Sequence, residues 1–166
     1  MCFIKSLQIH LPNYLIITDI DDCLIYSSRS IREHGLNKRN FYFDEDLCNE
    51  FKYSVFSEAE LTEWGVEFFG LIKSGHIVNY KLITAAKNRI EILCEKFNIN
   101  ASNILENYSD SEKVIWLNSL KENSLYVDDK LKVISQVKNK NIECVNFPKK
   151  SSYMNNIKRN KYRNRF

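Results

Sequence analysis

The positions in this sequence that could do chemistry are mostly carboxylates at the ends of apolar runs. Tyr14-Leu15-Ile16-Ile17-Thr18 leads into Asp19-Ile20-Asp21-Asp22, and Ser124-Leu125-Tyr126-Val127 leads into Asp128-Asp129. Between them Tyr80-Lys81-Leu82-Ile83 leads into Thr84-Ala85-Ala86, and Lys113 stands on the stretch that follows. Clustered carboxylates repel one another unless a cation neutralises them. Hard oxygen ligands without His or Cys suit magnesium, which keeps waters and bridges carboxylates to a substrate phosphate. An Asp carboxylate can also attack phosphorus, giving an acyl phosphate that water then cleaves. A second Asp two residues away can protonate the leaving oxygen and later activate that water.

Residues of this kind act together only if the chain brings the run ends to one place. Each run reads as a buried parallel strand. Helical spacing fills the intervals. Leu61, Trp64, Phe68, Leu71 and Ile72 predict a helix over 59–74 with Gly75 as its C-cap. Ile90, Leu93, Cys94 and Phe97 predict one over 87–97. A short strand at 103–108 follows, then a helix over 109–120 with Ser109 and Ser111 as capping candidates. Leu131, Ile134 and Val137 continue at helical spacing, and 142–147 closes the pattern as a last strand. Strands alternating with helices of this length predict an α/β fold: an open, Rossmann-like parallel sheet in a three-layer α/β/α arrangement. Ligands bind such sheets beyond the carboxyl ends of the strands, where the acids fall. Residues 26–58 break the alternation. Their aromatic stretches flank Asp44-Glu45-Asp46 and predict an insertion after the first strand, a β-hairpin or small lid.

In this order, LIITDIDDCLI, LITAAKNRI, Lys113 and LYVDDKLKVI resemble the four motifs of the haloacid dehalogenase superfamily. The resemblance spans residues 14–134. It implies Asp19 as nucleophile and Asp21 as general acid/base, with the second acid favouring phosphate transfer over dehalogenation. It implies that Thr84, with Ala85 beside it, binds the phosphoryl group and that Lys113 steadies the charge, Lys87 being the alternative. It implies Mg2+ held by Asp19, Asp128, Asp129 and the backbone carbonyl of Asp21. Cys23 departs from the Thr or Val usual at that position. The receiver fold of response regulators also groups acids, Thr and Lys, but in another order. The motifs are similar to those of short phage-encoded proteins of the same type, several of them suspected of nucleic-acid end repair.

The chain has 166 residues and a net charge of +3, which divides unevenly. Residues 149–166 carry seven basic side chains and no acid, leaving residues 1–148 at −4. The expected organisation is therefore a phosphatase domain over 1–148 and a flexible basic tail over 149–166 that could hold RNA or DNA by its phosphates. With Asp19, Asp21, Asp22, Asp128 and Asp129 set aside, the body's balance becomes +1, so its acidity is largely the proposed metal site. About 36 residues separate Asp22 from the helix near Ala59, too few for a full helical cap. An open site favours large substrates, and polynucleotide 3′-phosphatase is the specific expectation. A magnesium-dependent nuclease, or a nucleic-acid-binding protein with a decayed site, are the alternatives. No apolar run approaches the roughly 20 residues needed to cross a bilayer, and the start lacks a secretory cleavage pattern. Five scattered cysteines without a CxxC pair predict reduced thiols and a cytoplasmic location. The isolated His10, His34 and His76 are expected to be surface or packing residues, and no heptad speaks to oligomeric state.

Overall fold

The structure is a computed structural model that describes residues 13–147. The predicted tail over 149–166, the outer part of the 1–148 unit, Cys2 and His10 lie outside the described residues. Five strands form one parallel sheet in the order β3-β2-β1-β4-β5. They are β1 (Leu15–Asp19), β2 (Tyr80–Ile83), β3 (Ile104–Leu105), β4 (Ser124–Asp128) and β5 (Ile142–Asn146). The chain builds outward from β1 in one direction through β2 and β3, and in the other through β4 and β5. The strand order therefore reverses between β1 and β4, where Thr18 pairs with Val127 and the next residues are Asp19 and Asp128.

Alternation along the strands assigns the two faces. Ile16, Leu82, Leu125 and Val127 pack into one cluster with Trp64, Phe68, Ile92 and Leu93. Leu15, Ile17, Ile83 and Tyr126 pack into the other with Leu117 and Val133. Helices α4 (Glu63–Lys73) and α5 (Ile90–Phe97) supply the first face, and α6 (Asp110–Ser119) and α7 (Leu131–Ile134) supply the second. With both faces covered, the central strands β1 and β4 carry continuous apolar runs, as parallel sheets do. Helix ends follow the caps expected of them. Ser109 and Glu112 form a reciprocal capping box on α6. At the end of α4, His76 N donates to Leu71 O and Gly75 N to Ile72 O, with Gly75 at φ +76, a Schellman closure.

The insertion departs from expectation. Residues 26–58 hold three helices, α1 (Ser27–Glu33), α2 (Lys38–Phe43) and α3 (Glu45–Glu58), rather than a β-hairpin. The aromatic and β-branched residues of 51–56 have strand propensity, but propensity is overridden here by capping and burial period. The Asp44 side chain accepts from Leu47 N, and Glu45 and Asp46 occupy the first turn of α3. Cys48, Phe51, Val55 and Phe56 then turn inward at helical spacing. Both ends of the insertion are fastened together: Ile25 bridges Leu61, and Tyr26 N donates to Glu60 O. No helix among the described residues is long and apolar enough to cross a membrane.

Candidate active site

Asp19 ends β1 and is buried; its carboxylate receives a hydrogen bond from the buried Lys113 ammonium on α6. Lys113 arrives there because the Ser109 cap starts α6 one turn earlier. Lys87, the alternative, is exposed on the rim of the cavity described below. Asp128 ends the adjacent strand, also buried. Tyr126 donates its hydroxyl to one carboxylate oxygen, and Lys130 N donates to the other at 2.8 Å. Burial pushes the Asp19 carboxyl above the usual carboxylate range, Lys113 opposes this, and Asp128 and Asp21 add to it by repulsion.

Ligand oxygens of Asp19, Asp128 and Asp129 lie within 4.8 Å of one another. This all-oxygen donor set suits a hard divalent cation such as magnesium. The charge count agrees: Asp19, Asp21, Asp128 and Asp129 face two buried cations, Lys113 and Arg89, which leaves two negative charges. The residues present therefore fit the ion that the motifs imply.

A second carboxylate is arranged differently. Asp21 follows β1 and faces Arg89, which precedes α5 and is buried. Arg89 Nη1 donates to Asp21 Oδ1 at 2.8 Å and Nη2 to Oδ2 at 2.5 Å. Thr84 donates its hydroxyl to Oδ2 at 2.9 Å, and Tyr42 of α2 donates to Oδ1 at 3.2 Å. The Arg89 guanidinium lies 4.4 Å from the centre of the Phe56 ring on α3. Burial raises the Asp21 carboxyl, but the charge and hydrogen bonds of Arg89, with that of Thr84, hold it well below the usual range. The insertion thus contributes Tyr42 and Phe56 to the surroundings of Asp21.

Arg89 was not singled out from the sequence. It lies five residues beyond Thr84, and its partner is 68 residues away, so no spacing rule points to the pair. A lone Arg immediately before an apolar helix was the available clue. The other candidates are placed as follows. Asp22, at φ +58, accepts from Ser28 N at 2.9 Å, fixing the start of α1 as a turn residue. Cys23 is buried, with Sγ 3.6 Å from Thr18 Oγ1. His34 pairs with Glu58 at 3.2 Å, tying α1 to α3, while His76 is exposed.

Asp19, Asp21, Asp129, Lys113 and Ala85 all line one cavity of about 560 Å³, with α2 and α3 forming a wall. The site is therefore partly covered, by helices. Lys38, Lys87 and Lys130 also line it, as does Phe43, which is 86% exposed.

No family profile matches this sequence, and no curated protein matches it. Among solved structures, the chain is similar to CbbY from Rhodobacter sphaeroides, determined in complex with phosphate. The TM-score is 0.50 and the identity 15%, over 81% of this chain and 85% of that one. It is also similar to a haloacid dehalogenase hydrolase of family IA, variant 3, from Entamoeba histolytica, with TM-score 0.49 and 12% identity over 82% and 85%. The likeness to the Rhodobacter protein shows a shared fold: an open parallel sheet in a three-layer, Rossmann-like α/β arrangement.

Proposed function

We propose that this chain is a magnesium-dependent phosphomonoester hydrolase that works through an aspartyl-phosphate on Asp19. The observation that carries this reading is Asp19 itself, buried at the strand-order reversal, facing a cavity, with Lys113 on its carboxylate and Asp128 and Asp129 alongside. Asp19, Asp128 and Asp129 would hold the metal. When bound, magnesium supplies the positive charge that lets an anionic phosphoryl group approach an anionic nucleophile. Lys113 holds the Asp19 carboxylate in one orientation and offsets charge as an oxygen of Asp19 bonds to phosphorus. The bond from phosphorus to the leaving oxygen breaks, and that oxygen takes a proton from Asp21, which must first leave Arg89 and pick up that proton from solvent. Asp21 then takes a proton from water as it attacks the acyl phosphate, returning Asp19 and releasing inorganic phosphate. Thr84 contributes its hydroxyl to the phosphoryl oxygens.

The substrate class proposed is a nucleic-acid end, in the manner of a polynucleotide 3′-phosphatase. Support comes from Lys38, Lys87 and Lys130 around the cavity and from Phe43, whose exposed ring offers a face on which a base can stack. The basic stretch 149–166 is suited to hold further phosphates.

The test is a screen of purified protein with Mg2+ against p-nitrophenyl phosphate, nucleotides and 3′- and 5′-phosphorylated oligonucleotides. Asp19→Asn is expected to lower turnover by at least about a thousandfold, as loss of a covalent nucleophile does. Beryllium fluoride should be retained by the wild type and not by Asp19→Asn. A nuclease activity that survives Asp19→Asn, with no phosphatase activity in the wild type, would replace this reading with metal-activated water chemistry.

A further inference from the structure

Asp21 and Thr84 are the two groups that a phosphoryl transfer would draw on, and both are already fully engaged. An ionised carboxylate has about four lone-pair positions. On Asp21 these face Arg89 Nη1 and Tyr42 at one oxygen, and Arg89 Nη2 and Thr84 at the other. The Thr84 hydroxyl donates its one proton to Asp21 and accepts from Arg89 Nη2 at 2.5 Å and Ala86 N at 3.2 Å. In this arrangement Asp21 can receive no proton from water, and Thr84 can donate to no substrate oxygen. Something must displace part of the set before the chemistry begins.

Arg89 identifies what that is. Its planar fork fits carboxylate and phosphate oxygens equally well. It is buried behind Asp21, and Asp21 lines the cavity with 21% of its side chain exposed. Arg89 Nη2 and the Thr84 hydroxyl touch each other and converge on one oxygen of Asp21. Any phosphoryl oxygen that takes the Thr84 hydroxyl would therefore come within reach of Nη2 as well. The Nε of Arg89 is buried with no hydrogen-bond partner among the described residues, so the pair with Asp21 leaves the guanidinium incompletely satisfied. The Phe56 ring beneath the guanidinium keeps its plane in place whichever anion it holds.

We infer that Arg89 is a phosphoryl-binding residue masked by Asp21, whose carboxylate stands in for two phosphoryl oxygens until substrate exchanges with it. Binding and unmasking are then one event: the phosphoryl group takes Arg89 and Thr84, and the Asp21 carboxylate is freed on the side of the leaving oxygen. The inference rests on the phosphatase reading for its meaning, but its test needs no turnover.

Inorganic phosphate is titrated calorimetrically, in magnesium buffer, into full-length wild type, Asp21→Ala, and Asp21→Ala combined with Arg89→Met or Arg89→Lys. Asp21→Ala removes the masking carboxylate and is expected to bind phosphate about tenfold tighter or more, the scale of one charge-assisted hydrogen-bonded contact. That gain should vanish with Arg89→Met and mostly vanish with Arg89→Lys, which keeps the charge but not the fork. Phosphate should also raise the melting temperature of Asp21→Ala more than that of the wild type, because it restores a partner to a buried cation. A gain that survives Arg89→Met overturns the inference, as does one fully kept by Arg89→Lys, which would indicate a field rather than a contact. Should Asp21→Ala not fold, a crystal structure of the wild type with phosphate decides. Anion oxygens on Nη1 and Nη2 support exchange; an intact Asp21–Arg89 pair beside bound phosphate refutes it. Phosphate held by Arg89 in a protein that hydrolyses no phosphomonoester would sink the enzymatic reading and leave the anion site standing.

Discussion

At the scale of single residues, the site contains two buried ion pairs with opposite consequences. Lys113 sits against the Asp19 carboxylate, which burial and its acidic neighbours push toward protonation, and the ammonium opposes that push. Arg89 sits against a carboxylate that it holds firmly ionised. The second pair has a measurable pH signature. Because the folded-state value of Asp21 is depressed, the stability it contributes is present in full above about pH 4, the ordinary carboxylate range. It is lost as pH falls through the folded value. Asp21→Asn is expected to cost about 3 kcal/mol at pH 7, since it leaves a buried guanidinium without its counter-charge. Urea unfolding between pH 7 and pH 2 should show a steeper acid limb for the wild type than for Asp21→Asn. The acids and Thr84 stand out in the sequence because each lies at the end of an apolar run, whereas Lys113 rests on the family resemblance alone, with Lys87 open beside it. Arg89 does not stand out, because its role depends on a carboxylate distant in sequence and on helices whose existence the sequence disguised.

At the scale of elements, the central strands β1 and β4 stand out because every residue in them is buried, while β2 and β5 carry Lys81 and Glu143 within their runs. Boundaries drifted where backbone conformation outweighed hydrophobic spacing. The helix expected from Lys87 begins at Ile90, since Asn88 takes φ +61 and Arg89 φ −139. The insertion differs from its sequence expectation because its aromatic residues mimic a strand, while its Asp44 cap and inward spacing belong to a helix. The joint between insertion and core rests on Thr62. Its hydroxyl donates to Cys23 O at 2.5 Å and accepts from Gly65 N at 2.9 Å, fastening α4 to the turn that carries Asp19 to Asp22. Gly65 is pressed against that turn: a Cβ there would lie 2.2 Å from Leu24 O, a backbone atom. Gly65→Ala should therefore cost about 3 kcal/mol or more, at the upper end of overpacking. It should also lower turnover that depends on Asp19, because the clash falls on Leu24, in the turn that follows Asp19. Thermal melts and steady-state kinetics on the same preparation check both effects.

At the scale of the molecule, the topology explains why acids far apart in sequence meet. Strand order reverses between β1 and β4, and the crevice there is where open α/β sheets bind ligands. The net charge of +3 conceals a division between a body whose acidity is concentrated at this crevice and a basic stretch over 149–166. If that stretch serves to hold a polyanion, a chain ending at residue 148 should hydrolyse p-nitrophenyl phosphate at the wild-type rate. Its KM for a 3′-phosphorylated oligonucleotide should rise at least about tenfold at low salt. The wild type should lose that advantage as salt is raised, in the manner of counterion release. Equal KM values for the two forms would remove the stretch from substrate recognition.

One buried contact also makes the crevice visible to light. Trp64 is fully buried, and its indole Nε1 donates at 3.0 Å to Thr18, whose hydroxyl in turn donates at 3.0 Å to the backbone carbonyl of Asp19. The chain's other tryptophan, Trp116, lies half-buried on α6, packed edge-on against Tyr108. The two indoles therefore sit in environments of different polarity, and the buried one is joined by two hydrogen bonds to the peptide unit of Asp19. The protein carries a built-in fluorophore for its crevice, through which events at Asp19 can be followed without any label.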